Sequence, residues 1–178
     1  PIGDSNCVGC GQCAAVCPTG AIIIKNDSHR LWKELNQEDT IAVAQVAPAV
    51  RVAVAKEFGY NGENVMGKIV AALRRIGFNY IFDTSTAADL TVMEESKEFA
   101  DRLANGGKLP LFTSCCPAWI KYAENEYPEI LPNISTCRSP MQMFASVINE
   151  KFKGEGKKIL SVAVMPCTCL LYTSDAAD

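Results

Sequence analysis

No apolar run in this chain approaches the roughly 18–20 residues that a membrane-crossing helix needs, so no transmembrane span is expected. Basic residues are not in excess. Seventeen Lys and Arg stand against 20 Asp and Glu, a formal net charge of −3, which removes the electrostatic footprint of a nucleic-acid partner. No basic amphipathic or apolar leader precedes the first cysteines. The chain opens at Pro1 rather than at methionine, so it reads as a fragment; the expected compartment is cytoplasmic, with twin-arginine export left open. Histidine is nearly missing, and His29 alone, beside a loop, reads as a surface residue. Cysteine is what the chain has in quantity. Nine cysteines, clustered rather than scattered, point to metal ligation under reducing conditions rather than to secreted disulfides.

The first cluster is Cys7, Cys10, Cys13, Cys17 and Pro18, spelling C-x2-C-x2-C-x3-C-P. Close spacing lets three thiolates converge on one cubane, and the interleaved glycines permit the tight turns this requires. The run resembles the bacterial ferredoxin signature for a [4Fe–4S] cluster. In two-cluster domains of that type the fourth cysteine binds the other cluster. The resemblance therefore implies that Cys7, Cys10 and Cys13 hold one cluster and Cys17 a second one, whose remaining ligands would lie upstream of Pro1.

Residues 1–30 form a small ferredoxin-like iron–sulfur segment, with a cluster in place of a hydrophobic core. Residues 31–40 read as a linker, with a short helix over Arg30 to Leu35. From Ile41 the pattern alternates strand and helix. Strands are expected at Ile41–Ala47, Tyr80–Phe82, Leu109–Phe112 and Ile159–Val164. Helices are expected at Ala49–Phe58, Asn64–Ile76, Ala87–Ala104, Pro117–Glu126 and Pro140–Phe152. The fold class is α/β, a largely parallel sheet with flanking helices. Ala47-Pro48-Ala49, Cys115-Cys116 and Met165-Pro166-Cys167 each follow an expected strand, so three loops are expected to converge at the carboxyl edge where open parallel sheets bind ligands.

The most specific stretch is Phe112-Thr113-Ser114-Cys115-Cys116-Pro117-Ala118-Trp119. Adjacent thiols on a sharp turn point different ways, so one can bind metal while its neighbour carries a proton. The stretch resembles the first signature of the iron-only, or [FeFe], hydrogenases, TSCCPGW, with Ala118 where glycine is commoner. Met165-Pro166-Cys167-Thr168 is similar to the start of their second signature, MPCTxKK.

This resemblance implies an H-cluster domain over residues 41–168. Its cofactor is a [4Fe–4S] cubane joined through a thiolate to a two-iron unit. Cys116 and Cys167 would be two of four cubane ligands, the other two belonging to a third signature absent from this sequence. Pro48, Ala49 and Met165 would be walls of the cofactor pocket. Cys115 would donate the proton, a role suited to a thiol whose ordinary pKa is about 8.5. Glu95, Ser135 and Glu98 would relay protons from solvent, with Arg102 holding the outer carboxylate. Without the resemblance, Glu95 and Glu98 read as a solvated helix face, Ser135 as an ordinary loop serine and Cys137 as a packed thiol.

The implied partners are ferredoxin or a similar electron donor or acceptor, hydrogen and protons as substrates, and maturation proteins for the two-iron unit. Two other readings compete: a non-catalytic hydrogenase-like protein of iron–sulfur assembly, and an electron-transfer module alone. Assembly relatives commonly lose the first of the paired cysteines, so Cys115 favours the enzyme. Leu170 stands where the second signature has lysine, and residues 169–178, Cys169 included, read as a non-native tail without a packing pattern. These residues alone are expected to bind partial iron–sulfur centres and to evolve no hydrogen. Gas chromatography over the anaerobically reconstituted chain with reduced viologen checks this, and robust hydrogen evolution would overturn the account of the ligands.

Overall fold

A computed structural model describes residues 5–60 and 62–173. Residues 1–4 of the expected iron–sulfur segment and 174–178 of the expected tail lie outside them. The chain forms two compact units, one from residues 25–87 and 144–166, the other from residues 5–24, 88–143 and 167–173.

The first unit is built on a parallel three-stranded sheet in the order β2-β1-β3, from β1 Thr40–Val46, β2 Tyr80–Asp83 and β3 Lys158–Val164. Val43 stands opposite Tyr80, and Thr40 opposite Lys158. β1 is central and buried from Ile41 to Val46, in keeping with an apolar run interrupted only by Gln45. β3 lies at an edge and is only half-buried. Asn79 fixes the entry to β2: its Oδ1 accepts from the Ala42 N–H at 2.8 Å, while its own N–H donates to the Ala42 carbonyl at 2.9 Å.

Three helices lie wholly within this unit among the described residues. α2 spans Ser28–Leu35, α3 Pro48–Glu57 and α4 Met66–Ile76. Pro48 opens α3 at a position where its missing N–H costs nothing. Val65, Ile69 and Leu73 recur every four residues and pack with Val46 and Ala55. Leu31 and Leu35 of α2 pack against Ala42, Ala44 and Phe78, so the stretch expected as a linker contributes to the core.

The second unit holds α1 Gln12–Val16, most of α5 Ser85–Ala104, α6 Pro117–Glu126, a 3-10 turn over Pro128–Asn133, the start of α7 Pro140–Phe152, and α8 Thr168–Thr173. The expected strand Leu109–Phe112 is not one. Pro110 has no N–H for a ladder, and Phe112 forms only an isolated bridge with Ile134. In place of a sheet strand, the segment from Pro110 to Ser114 is stitched in parallel to that from Asn133 to Cys137. The Asn133 amide donates to the Pro110 carbonyl at 2.8 Å, Phe112 N–H to Asn133 at 2.9 Å, and Ser135 N–H to Phe112 at 2.8 Å. The Ser114 hydroxyl closes the row on the Cys137 carbonyl.

Two of the three expected loops therefore leave sheet strands, at Pro48 and Met165, and the Cys115 loop does not. Among the described residues no helix is long and apolar enough to cross a membrane. Ile69 lies 8% exposed within the Val46, Ala55 and Val65 cluster, so Ile69→Ala should destabilise the fold by about 2–5 kcal/mol, read as a lower urea midpoint.

Candidate functional site

The 20-residue helix α5 carries three of the relevant side chains on adjacent turns, Glu95, Glu98 and Arg102. Arg102 reaches out of the helix. Its Nη2 donates to Glu98 Oε1 and to the Ile134 carbonyl (2.8 Å), and its Nη1 to the carbonyls of Pro132 (3.0 Å) and Lys108 (3.3 Å). The chain must pass close behind this helix end. A Cβ on Gly107 would fall 2.9 Å from Arg102 Cα, Cβ and Cγ, so only glycine fits there.

Glu98 is the most heavily bonded carboxylate of the site. The Ser135 hydroxyl donates to Oε2 at 2.8 Å, the Thr136 N–H at 3.0 Å and the Thr136 hydroxyl at 3.2 Å. Burial by itself would raise its pKa. The bond from Ser135, followed by those from Arg102 and Thr136, outweighs burial and holds the carboxyl below its ordinary value. A polar cleft of about 460 Å³, lined by Glu94, Lys97, Asp101 and Asn105, opens onto Glu98 and Arg102.

From Glu98 a hydrogen-bonded row continues to Glu95. The Ser135 Oγ accepts from the Cys137 N–H at 3.1 Å, the Cys137 carbonyl accepts from the Ser114 hydroxyl, and the Ser114 N–H donates to Glu95 Oε1 at 3.4 Å. Ser135 is buried and Glu95 half-buried. Cys115 and Cys116 follow Ser114 directly, and both are exposed. Cys116 caps α6, its carbonyl taking the first helical bond from Ile120 at 3.1 Å, and Pro117 opens that helix.

The cysteine-rich segment contributes Cys7, Cys10 and Cys13, all exposed, and a half-buried Cys17. The Cys17 thiol is brought down to about 7, first by the Ile22 backbone and then by the Thr19 hydroxyl and backbone. Backbone and hydroxyl groups aimed at sulfur favour the thiolate, the form that ligates iron. This donor set fits an iron–sulfur cluster. Among the described residues no three His, Cys, Asp or Glu side chains gather tightly enough to hold one metal ion; a cubane, being larger, draws its thiolates from farther apart.

Cys169, set aside with the expected tail, is buried within α8, a helix that packs on α6. Burial first, and then the neighbouring Cys167, push its thiol up to about 11. The Thr168 hydroxyl donates to the Gly9 carbonyl at 3.1 Å, and a Cβ on Gly11 would strike Thr168 at 2.7 Å. The physical reason for this order is apolar: Leu170 and Leu171 are half-buried, so the stretch has a packing face too short to show as a period.

The structure thus gathers Glu98, Ser135, Arg102 and Glu95 into one row and places Cys115 and Cys116 just beyond Ser114. Pro48 and Ala49 are exposed after β1 and Met165 half-buried after β3, all in the sheet unit. There the Ala47 N–H donates to the Val164 carbonyl at 3.1 Å, joining the ends of the two strands where the strand order reverses. Ser114, Thr136 and the Cys137 backbone were not foreseen as bonding partners. The adjacent hydroxyls in Ser135-Thr136 were the available signal for one of them.

The C-x2-C-x2-C-x3-C-P run of the helical unit marks the chain as an iron–sulfur protein. The chain belongs to the iron-only hydrogenase family: residues 40–171 match the family described as iron only hydrogenase large subunit, C-terminal domain, and residues 1–23 match a 4Fe-4S binding domain. It is 42% identical over 96% of its length to the NADP-reducing hydrogenase subunit HndD of Solidesulfovibrio fructosivorans, covering 31% of that protein. It is also 33% identical over 92% of its length to cytosolic iron-sulfur assembly component 3 of Rattus norvegicus, covering 37% of it. A variant of the apo [FeFe]-hydrogenase HydA1 from Chlamydomonas reinhardtii superposes with a TM-score of 0.76 at 35% identity, over 85% of this chain and 40% of that one. The chain therefore spans about a third of these curated relatives. The family brings its cofactor class with it, [4Fe–4S] clusters and the H-cluster.

Because the fold depresses the Glu98 pKa, it favours the ionised carboxylate. That stability is complete above the ordinary glutamate value of 4.5 and is lost as the pH falls through the depressed one. Glu98→Gln should therefore be less stable than the parent at neutral pH, with the gap closing in acid below 4.5. Urea midpoints measured from neutrality down to about pH 3 check this; a gap that ignores pH would assign the loss to packing.

Proposed function

We propose that these residues form part of the catalytic unit of an [FeFe] hydrogenase, an oxidoreductase that interconverts protons and hydrogen with electrons delivered through iron–sulfur clusters. The observation that carries this reading is that Ser135 is hydrogen-bonded to Glu98 while Glu95 accepts from the Ser114 N–H, directly beside Cys115. When bound, the H-cluster supplies the centre at which protons and electrons combine. Cys116 and Cys167 would hold its cubane.

The remaining work falls to this chain's polar groups. Glu98 takes up a proton from the cleft, and its clamp of Arg102 and Thr136 fixes the carboxylate at that entry point. Ser135 receives the proton from Glu98. The Cys137 amide cannot carry a proton onward, so the serine hydroxyl turns from Glu98 toward Glu95 to deliver it. Glu95, oriented by the Ser114 N–H, hands it to Cys115. Cys7, Cys10 and Cys13 would hold one accessory cluster and Cys17 would serve a second; ferredoxin or a similar carrier would exchange electrons with them, and maturation proteins would supply the two-iron unit.

The similarity to the assembly component favours a second reading, a hydrogenase-like protein that keeps the fold without the chemistry. Cys115 discriminates. The chain would be fused to the C-terminal half of an iron-only hydrogenase and matured anaerobically, and hydrogen evolution from reduced viologen measured. Evolution is expected, with Cys115→Ala lowering it at least about 10²-fold, the scale of a lost proton donor. A fusion that holds its cluster and evolves nothing would favour the assembly reading.

A further inference from the structure

The parallel pairing around Phe112 changes character one step beyond it. Phe112 is bridged to Ile134: its N–H donates to the Asn133 carbonyl at 2.9 Å, and its carbonyl accepts from the Ser135 N–H at 2.8 Å. Rungs of a parallel ladder recur every two residues. The next ones would take the Ser114 N–H to the Ser135 carbonyl and the Cys137 N–H to the Ser114 carbonyl. Both donors go elsewhere. The Ser114 N–H donates to Glu95 Oε1 at 3.4 Å, and the Cys137 N–H to Ser135 Oγ at 3.1 Å. The two segments stay together all the same, because the Ser114 hydroxyl donates to the Cys137 carbonyl. Ser114 is half-buried and Ser135 buried, so bonds lost here are not simply made good by water.

We propose that Ser114 is a positioning residue for proton transfer: its hydroxyl clasps the two segments in place of a ladder rung, which frees two backbone N–H donors to hold Glu95 and Ser135. That role rests on the relay assignment of those two side chains made above. At Ser135 the effect is direction. A hydroxyl has one proton and two acceptor sites. The Cys137 N–H fills one acceptor site, and the proton goes to Glu98 Oε2 at 2.8 Å. At Glu95 the Ser114 N–H occupies Oε1 and leaves Oε2 for a proton. Cys115 follows Ser114 directly, so the same clasp holds the chain where the thiol begins. Alanine at position 114 removes the clasp. The segments then either pair further, drawing both N–H groups back onto backbone carbonyls, or part. In both cases Glu95 and Ser135 lose a fixed partner.

Amide resonances of the reduced, cluster-free 178-residue chain read the geometry without any hydrogenase chemistry. An N–H bonded to an ionised carboxylate is held more strongly than one bonded to a neutral amide oxygen, and its proton lies further downfield. Glu95→Gln should therefore move the Ser114 amide proton upfield. In the Ser114→Ala chain the same change at Glu95 should leave the residue-114 amide unmoved. In Ser114→Thr, which keeps a hydroxyl, the amide should respond as in the parent. A residue-114 amide that still answers to Glu95→Gln in the Ser114→Ala chain would overturn the proposal. The consequence is read in the fused, matured enzyme. Ser114→Ala should lower kcat for hydrogen evolution at least about tenfold, the scale of a reacting group held out of line. KM for reduced viologen and iron content should be unchanged, and Ser114→Thr should restore most of the rate. An unchanged kcat, or iron content that falls in step with the rate, would refute the positioning role. A parent fusion that evolves no hydrogen would sink the proposed function instead, and the amide comparison alone would then decide whether the hydroxyl holds the two donors.

Discussion

The guanidinium of Arg102 is the constraint on which the helical unit's polar row depends. It lies 15% exposed and faces one carboxylate and three backbone carbonyls. Carbonyls gathered around a partly buried site are costly to leave unpaired, and a guanidinium offers enough fixed donors to satisfy them together. Lysine, a single compact charge, has no such fork. By meeting Pro132 and Ile134 it fixes the segment that carries Ser135, and after Ser135 and together with Thr136 it holds the Glu98 carboxyl below its ordinary value against burial. The position of Ser135 is thus set from a helix more than thirty residues earlier in the chain.

The segment from Pro110 to Ser114 shows how an element can serve a site without being the element it resembles. Its residues are apolar enough for a strand, yet it pairs along one short stretch and joins no sheet. What the pairing accomplishes is alignment. Phe112 is bonded on both sides to the Asn133–Ser135 backbone and its ring meets Trp119 edge-on at 6.2 Å. Ser114 then reaches Cys137 on one side and Glu95 on the other, and the paired cysteines emerge at a defined place at the head of α6.

Much of the fold was legible in order and type. Pro117 and Pro140 each open a helix where expected, and Pro48 opens one a residue before the expected Ala49, because proline at a first helical position loses nothing. β1 was visible as an apolar run because a central parallel strand is buried on both faces. α1 was not visible, since five residues carry no period, and α8 was hidden for the same reason. The edge position of β3 was likewise closed to sequence reading, because strand order is not written in any one strand.

The chain's own residues determined its chemical class. Cysteine spacing and the paired thiols before Pro117 depend on local geometry, which a sequence records directly. Glu95 and Glu98 share a helix face by their spacing alone. Only tertiary structure decided that Ser135 bonds Glu98, that Ser114 and the Cys137 backbone extend the row to Glu95, and that Cys169 is buried beside Cys167. The bonds Ser135–Glu98, Ser114–Cys137 and Ser114–Glu95 join residues 19 to 37 positions apart, and such pairings follow from which segments the fold stitches together. The last depends on burial, which no pair of neighbouring residues encodes by itself.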